Sequence, residues 1–180
     1  PEILHQTQAG ALGFAVAGKI RRSGIPFEPD QTADQDRTRP VLKLQDGCDQ
    51  CCSFCIIPTT RGRSRSLPPD SAVEKYRDWA RKGAKEVVLS GINLSAYGED
   101  LVPRTTLAEL LARLEGEENT AWIRISSIEP SGLTEDFLDV VRRSRKICPH
   151  FHVPLQSGDP DVLRRMNRPC TVEEYAERIH

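Results

Sequence analysis

From Val41 onward the chain alternates short apolar runs with amphipathic stretches that carry their own start signals, and this alternation constrains the fold more than any other feature. The apolar run Val41 to Leu44 is followed by Ser71-x-x-Glu74, a capping box ahead of a stripe of Val73, Tyr76, Trp79 and Ala80 that Gly83 ends. Glu86 to Ser90 is the next strand. Thr106-x-x-Glu109 then heads a helix with Leu107, Leu110, Leu111 and Leu114 on one face. Trp122 to Ser126 reads as a third strand, and Thr134 caps a helix carrying Phe137, Leu138 and Val141. His150 to Leu155 is expected as a fourth strand, with His150 and His152 on one face and Phe151 and Val153 on the other. Asp159-Pro160 opens a short helix from Asp161 to Asn167, and Thr171-x-x-Glu174 begins a last one.

Strands that alternate with helices pair in parallel through right-handed crossovers, so the expected fold is α/β, part of a (β/α) barrel with about four strand–helix units. In such barrels sites are built at the C-terminal ends of the strands. The polar stretches with chemical potential all fall there: the loop after Leu44, Ser90-Gly91-Ile92-Asn93, Ser126-Ser127-Ile128-Glu129-Pro130, and Pro154-Leu155-Gln156-Ser157-Gly158.

Four of the six cysteines lie in the first of these loops. Cys48, Cys52 and Cys55, spaced Cys-x3-Cys-x2-Cys, put three thiols on one short segment just past a strand, with Cys51 as an extra that is not expected to be a ligand. Iron–sulfur clusters take one thiolate per iron, so a 4Fe-4S cubane held by three local cysteines keeps one iron open. Other chemistries compete for the same loop. Cys52-x2-Cys55 alone fits a thioredoxin-like redox pair but leaves Cys48 without a role. A structural zinc site wants a fourth ligand close by, and the nearest downstream histidines are His150 and His152. Cys148 and Cys170 are expected as core or loop cysteines.

The 180-residue chain is 38% hydrophobic, enough for one sizeable core, and its net charge of −1 hides a local basic stretch in which Arg61, Arg63 and Arg65 alternate. Ala9 to Arg22 has a helical stripe of Leu12, Val16 and Ile20, and the polar stretch from Gly24 to Arg39 reads as a linker. The expected organisation is therefore residues 1–39 as the tail of a preceding domain plus linker, and 40–180 as a core truncated at its C-terminal end. The apolar run Ala9 to Ala17 is too short to span a bilayer and has no positive flank, so no membrane segment is expected and the cytoplasm is the expected compartment.

Taken together, the motifs resemble the radical S-adenosylmethionine (SAM) methylthiotransferases, and most closely their MtaB-like branch. The resemblance rests on Gln45-Asp46-Gly47-Cys48, Cys52-Ser53-Phe54-Cys55-Ile56-Ile57-Pro58, Arg61-Gly62, Gly91-Ile92-Asn93, Tyr97-Gly98, Ser127-Ile128-Glu129-Pro130, Pro154-Leu155-Gln156-Ser157-Gly158 and Met166-Asn167-Arg168, in that order. It implies a 4Fe-4S cluster on Cys48, Cys52 and Cys55 whose open iron binds SAM, with Ser90, Gly91, Asn93, Glu129 and Gln156 as SAM contacts. It implies tRNA as substrate, methylthiolated at an N6-threonylcarbamoyladenosine beside the anticodon, with Arg61, Arg63 and Arg65 meeting RNA phosphates. Related members act on isopentenyladenosine in tRNA or on a ribosomal-protein aspartate. The resemblance also implies a separate electron donor, a second 4Fe-4S cluster in an N-terminal domain, and an RNA-binding barrel. The structural alternatives are ordinary strand-end turns at Gly91 and Asn93, a surface carboxylate and amide at Glu129 and Gln156, solvated arginines, and, for the whole chain, a zinc- or nucleic-acid-binding module without catalysis.

Overall fold

The computed structural model describes residues 2–6, 12–16 and 38–180. Near the start, β1 (Glu2–Gln6) and β2 (Leu12–Val16) pair antiparallel, with Glu2 opposite Val16 and Gln6 opposite Leu12. The helix expected over residues 9–22 is therefore corrected at its centre. Leu12 and Val16 sit four apart, as on a helix, but the run between them is too short for its period to separate helix from strand, and Gly13 disfavours a helix interior. The rest of that stretch, and the linker up to residue 37, lie outside the described residues.

The core is a parallel sheet of β3 (Val41–Lys43), β6 (Glu86–Ser90) and β7 (Trp122–Ile125), in that order. Val41 stands opposite Val88 and Lys43 opposite Ser90, and Leu89 stands opposite Ile125. Alternation decides which residues go inside: Leu42, Val87, Leu89, Ile123 and Ile125 are buried, while Val41, Val88 and Arg124 between them are half-buried. A two-residue antiparallel pair, β4 (Gln45–Asp46) with β5 (Arg65–Ser66), closes the segment between them into a loop that includes the short helix α1 (Ile57–Thr60).

Helices cover the apolar face. In α2 (Pro69–Arg81) the buried residues Ala72, Val73, Tyr76 and Trp79 form one stripe. It begins two residues before the capping box at Ser71, because Pro69 at the first helical position already has the required φ, and no side chain caps the end. The α3 helix (Leu107–Glu115) has the expected capping box between Thr106 and Glu109, and Leu107, Leu110, Leu111 and Leu114 are all buried. In α4 (Glu135–Arg143) the Thr134 hydroxyl accepts from Phe137 N–H, and the Phe137 ring meets Phe151 edge to face at 5.8 Å. The short α5 (Pro160–Arg165) and α6 (Val172–Ile179) follow, capped by Asp159 and by the Thr171–Glu174 box.

The fourth strand does not form as a ladder. Beside β7 the chain makes two single parallel bridges, Ile147 to Ile123 and His152 to Ser127, and Pro149 between them has no N–H to give. Cys148 N–H still donates to Ile123 O at 2.8 Å, and Ile128 N–H to His152 O at 3.0 Å, so the segment keeps its place beside β7. The helix expected to reach Asn167 stops at Arg165, since Asn167 turns into the left-handed region at φ 53°.

Candidate metal centre

The cysteine loop starts where β4 ends, and its entry is fixed by a glycine. Gly47 has φ 72°, and a Cβ there would lie 2.0 Å from Arg63 O, so no other residue fits without displacing the backbone at Gly62 and Arg63, just before β5. Beside it Gln45, fully buried, acts as an internal tie. Its Nε2 donates to Gly47 O at 2.7 Å and to Ser64 Oγ at 2.8 Å, while its Oε1 accepts from Asn93 N–H at 2.8 Å. One amide thus joins the cysteine loop to the loop after β6.

Cys48 is buried, with its N–H on Gly62 O; Cys52 and Cys55 are half-buried and share a turn in which Cys55 N–H donates to Cys52 O at 3.0 Å. Burial, with the charges of Cys52, Cys55 and Asp49, pushes the Cys48 thiol above its usual range, against a bond from Gln50 N–H. Cys51 is exposed and turns toward Asp49 O at 3.9 Å. Among the described residues no three His, Cys, Asp or Glu side chains converge where a single ion would sit. A set of three sulfurs with no oxygen or imidazole fits iron–sulfur chemistry better than a hard cation.

The residues after β6 and β7 stand beside this loop. Ser90 O accepts from Leu44 N–H at 2.7 Å, and a Cβ on Gly91 would fall 2.8 Å from Leu94 and 3.1 Å from Gln45. Asn93 is buried, yet its Oδ1 has no partner, an orphaned acceptor of the sort that a bound group would satisfy. Ser95 Oγ accepts from Glu129 N–H at 3.0 Å and so joins the second and third strand-end loops. Both oxygens of the Glu129 carboxylate meet the Arg168 guanidinium, one at 3.3 Å, but each keeps a further lone pair for a hydroxyl. Gln156 is exposed, with φ 78°. His152 Nδ1 lies 2.9 Å from Ser127 Oγ and His150 is exposed, so neither histidine approaches the cysteines as a ligand.

Arg61, Arg63 and Arg65 line the returning side of the loop, where each makes an ion pair: Arg61 and Arg65 with Asp46 at 3.2 and 3.3 Å, and Arg63 with Asp49 at 3.1 Å. Asp46 also meets Lys43 at 3.2 Å. Burial works to raise the Asp46 carboxyl, but Lys43, the Gly47 N–H and Arg61 hold it below the usual range. Arg63 remains 70% exposed and is the one of the three most open to a partner.

Reasoning from sequence gave no role to the turn after α5, although Met166-Asn167-Arg168 stands among the motifs. The structure folds it against the cysteine loop: Ser53 N–H donates to Met166 O at 3.0 Å, Ser53 Oγ to Arg165 O at 2.8 Å, and Asn167 Nδ2 to Cys51 O at 2.8 Å. Arg168 Nη1 reaches Cys52 Sγ at 3.7 Å. An arginine and an asparagine in a short stretch far from the cysteines were the available signal; their partners were not.

A thiol loop at the C-terminal edge of a parallel sheet, walled by strand-end loops, is the arrangement of a radical SAM core, and the Radical SAM superfamily model matches residues 42–180. The chain belongs to the radical SAM superfamily. Its curated relatives include the threonylcarbamoyladenosine tRNA methylthiotransferase MtaB of Bacillus subtilis, 43% identical over 164 residues that cover 89% of this chain and 36% of that protein. The MtaB of Thermotoga maritima is 37% identical over 158 residues, 87% of this chain and 36% of the relative. A tRNA-2-methylthio-N(6)-dimethylallyladenosine synthase of Lachnoclostridium phytofermentans is 40% identical over 138 residues, 77% of this chain and 30% of the relative. The chain thus spans about a third of the length of these relatives. Among solved structures, the radical SAM methyltransferase TsrM of Kitasatospora setae superposes with a TM-score of 0.62 at 19% identity, over 89% of this chain and 31% of that one. That likeness establishes the shared fold.

Proposed function

We propose that Cys48, Cys52 and Cys55 hold a 4Fe-4S cluster with one open iron for SAM, in an enzyme that methylthiolates N6-threonylcarbamoyladenosine in tRNA. The observation that carries the proposal is the three-sulfur loop, tied through Gln45 to the backbone N–H of Asn93, whose own buried Oδ1 is unpartnered. Held by Cys48, Cys52 and Cys55, the cluster would supply the one-electron reducing chemistry that reductive cleavage of SAM requires.

The chain's own residues bind and orient. Asn93 Oδ1, buried and unpartnered, would accept from the SAM amino group, and Ser90 and Gly91 border the same turn, where glycine lets a ligand approach the backbone. Glu129 keeps lone pairs for ribose hydroxyls, and Gln156, exposed in the loop past the His152 bridge, would contact the adenine. Arg63, with Arg61 and Arg65 behind it, offers positive charge to RNA phosphates at the mouth. Among the described residues no helix is long and apolar enough to cross a membrane. We assign the enzyme to the cytoplasm, with a separate one-electron donor and the anticodon-loop adenosine of tRNA as its partners.

The choice of adenosine leans on the MtaB relatives, at 37–43% identity, and on Ser127-Ile128-Glu129-Pro130. Mass spectrometry of tRNA nucleosides from cells lacking the gene tests it. The expected result is loss of 2-methylthio-N6-threonylcarbamoyladenosine with the unmethylthiolated nucleoside accumulating. Loss of 2-methylthio-isopentenyladenosine instead would assign the activity of the dimethylallyladenosine relatives, and no change in either would refute a tRNA substrate of this kind.

A further inference from the structure

The Arg168 side chain is only 4% exposed, yet it carries a full positive charge into the wall of the cysteine loop. Its donors are divided among three separate parts of the chain. Nη1 points to Glu129 Oε1 at 3.3 Å and to Cys52 Sγ at 3.7 Å; Nη2 points to Glu129 Oε2 and, at 3.5 Å, to Pro154 O; Nε has no partner. A buried guanidinium that only balanced a carboxylate would need neither the sulfur nor the carbonyl. Its backbone neighbours hold Cys51 and Ser53 as well, so the turn fixes both the path of the loop and the direction from which charge meets one sulfur.

We infer that Arg168 is a positioning residue that sets the charge felt at the Cys52 sulfur, with Glu129 as its counterweight. The inference rests on the proposed cluster and concerns how readily that cluster takes its electron. Reduction adds one negative charge. A cationic donor on a ligand thiolate favours the reduced form, and hydrogen bonds to ligand sulfurs are among the levers that set cluster potentials. Glu129 shares Nη1 of the guanidinium with Cys52, and its negative charge opposes the arginine's. Removing the arginine should therefore lower the potential, and neutralising the glutamate should raise it. Loss of a merely structural pin predicts no such opposition of sign.

The test uses the holoenzyme reconstituted anaerobically with iron and sulfide, as wild type, Arg168→Met, Arg168→Lys and Glu129→Gln. Iron content is measured first. Midpoint potentials then come from dithionite titration monitored by electron paramagnetic resonance, following the signal that changes when SAM is added. Arg168→Met is expected to shift the reduced-to-oxidised ratio at fixed potential about tenfold toward oxidised, a fall of about 59 mV for a one-electron couple. Glu129→Gln is expected to move it the other way, and Arg168→Lys, which keeps the charge, to stay near wild type. Shifts of the same sign in Arg168→Met and Glu129→Gln, or no shift in either, would overturn the inference. If Arg168→Met does not fold, the sign in Glu129→Gln decides, an upward shift supporting the inference and any other result refuting it. A wild-type holoenzyme without iron, or without a SAM-responsive signal, would overturn the metal-centre proposal along with this one.

Discussion

Replacing Gln45 by Leu keeps the side chain's bulk and removes its hydrogen bonds. Gly47 O and Asn93 N–H would each lose the partner they now have, at 2.7 and 2.8 Å, inside a region where Gln45 itself is fully buried. A buried backbone group left unpaired costs roughly 1–3 kcal/mol, so two such groups together cost about 2–4 kcal/mol once local relaxation and water entry recover part. Domains of this kind are stable by only about 5–15 kcal/mol, which makes the loss easy to read. Urea unfolding of the cluster-free protein, followed by circular dichroism, measures it without involving iron. The expected result is a lower midpoint at an unchanged slope. Because the same amide ties the cysteine loop to the loop after β6, the variant should also recover less iron on reconstitution. A Gln45→Leu protein within about 0.5 kcal/mol of wild type would refute the role of this residue as an internal tie.

Two further perturbations address the same framework. Gly47→Ala places a Cβ 2.0 Å from Arg63 O at φ 72°, and should cost more than about 1 kcal/mol in urea unfolding and reduce iron uptake; equal stability and equal iron content would contradict the steric account. Glu86 joins β6 to β7 through two bonds to Arg124, at 2.6 and 3.2 Å, which with the pull of Arg39 outweigh burial and hold its carboxyl below the ordinary 4.5. A depressed carboxylate contributes stability that is present above the unfolded pKa and is lost as pH falls from about 4.5 through the folded value. Glu86→Gln should therefore lower stability at pH 7 and flatten its decline below that point, as measured by urea midpoints across the acid range; an unchanged acid profile would refute the linkage.

The strands and helices that could be read from sequence are those whose signals are local. Glu86–Ser90 alternates buried and half-buried residues as written, and Thr106 with Glu109 caps a helix whose leucines all face inward. The failures have equally local causes. Leu12–Val16 is a five-residue run whose apolar spacing suits either period, and its antiparallel partner, Glu2–Gln6, decides the outcome. His150–Leu155 alternates like a strand, but Pro149 and Pro154 remove the donors that a ladder beside β7 would need. The start of α2 was set by Pro69 rather than by the Ser71 box, a contest between two valid signals. At the site, the sequence singles out the cysteine loop because three thiols at that spacing have few uses. Gln45 and Arg168 were not: each is a single polar residue whose meaning lies in partners distant in sequence, Asn93 for one and Glu129 and Cys52 for the other.

The ligand register of Cys48, Cys52 and Cys55 underlies everything proposed for this site. Its most direct measurement is the release of 5′-deoxyadenosine when the reconstituted protein is incubated anaerobically with SAM and dithionite, comparing wild type with each cysteine replaced by alanine in turn. Wild type and Cys51→Ala, whose thiol is exposed and turned toward Asp49, are expected to release it. Cys48→Ala, Cys52→Ala and Cys55→Ala are each expected to fall to background. Release that survives in any of those three, or that disappears in Cys51→Ala, would contradict the assignment.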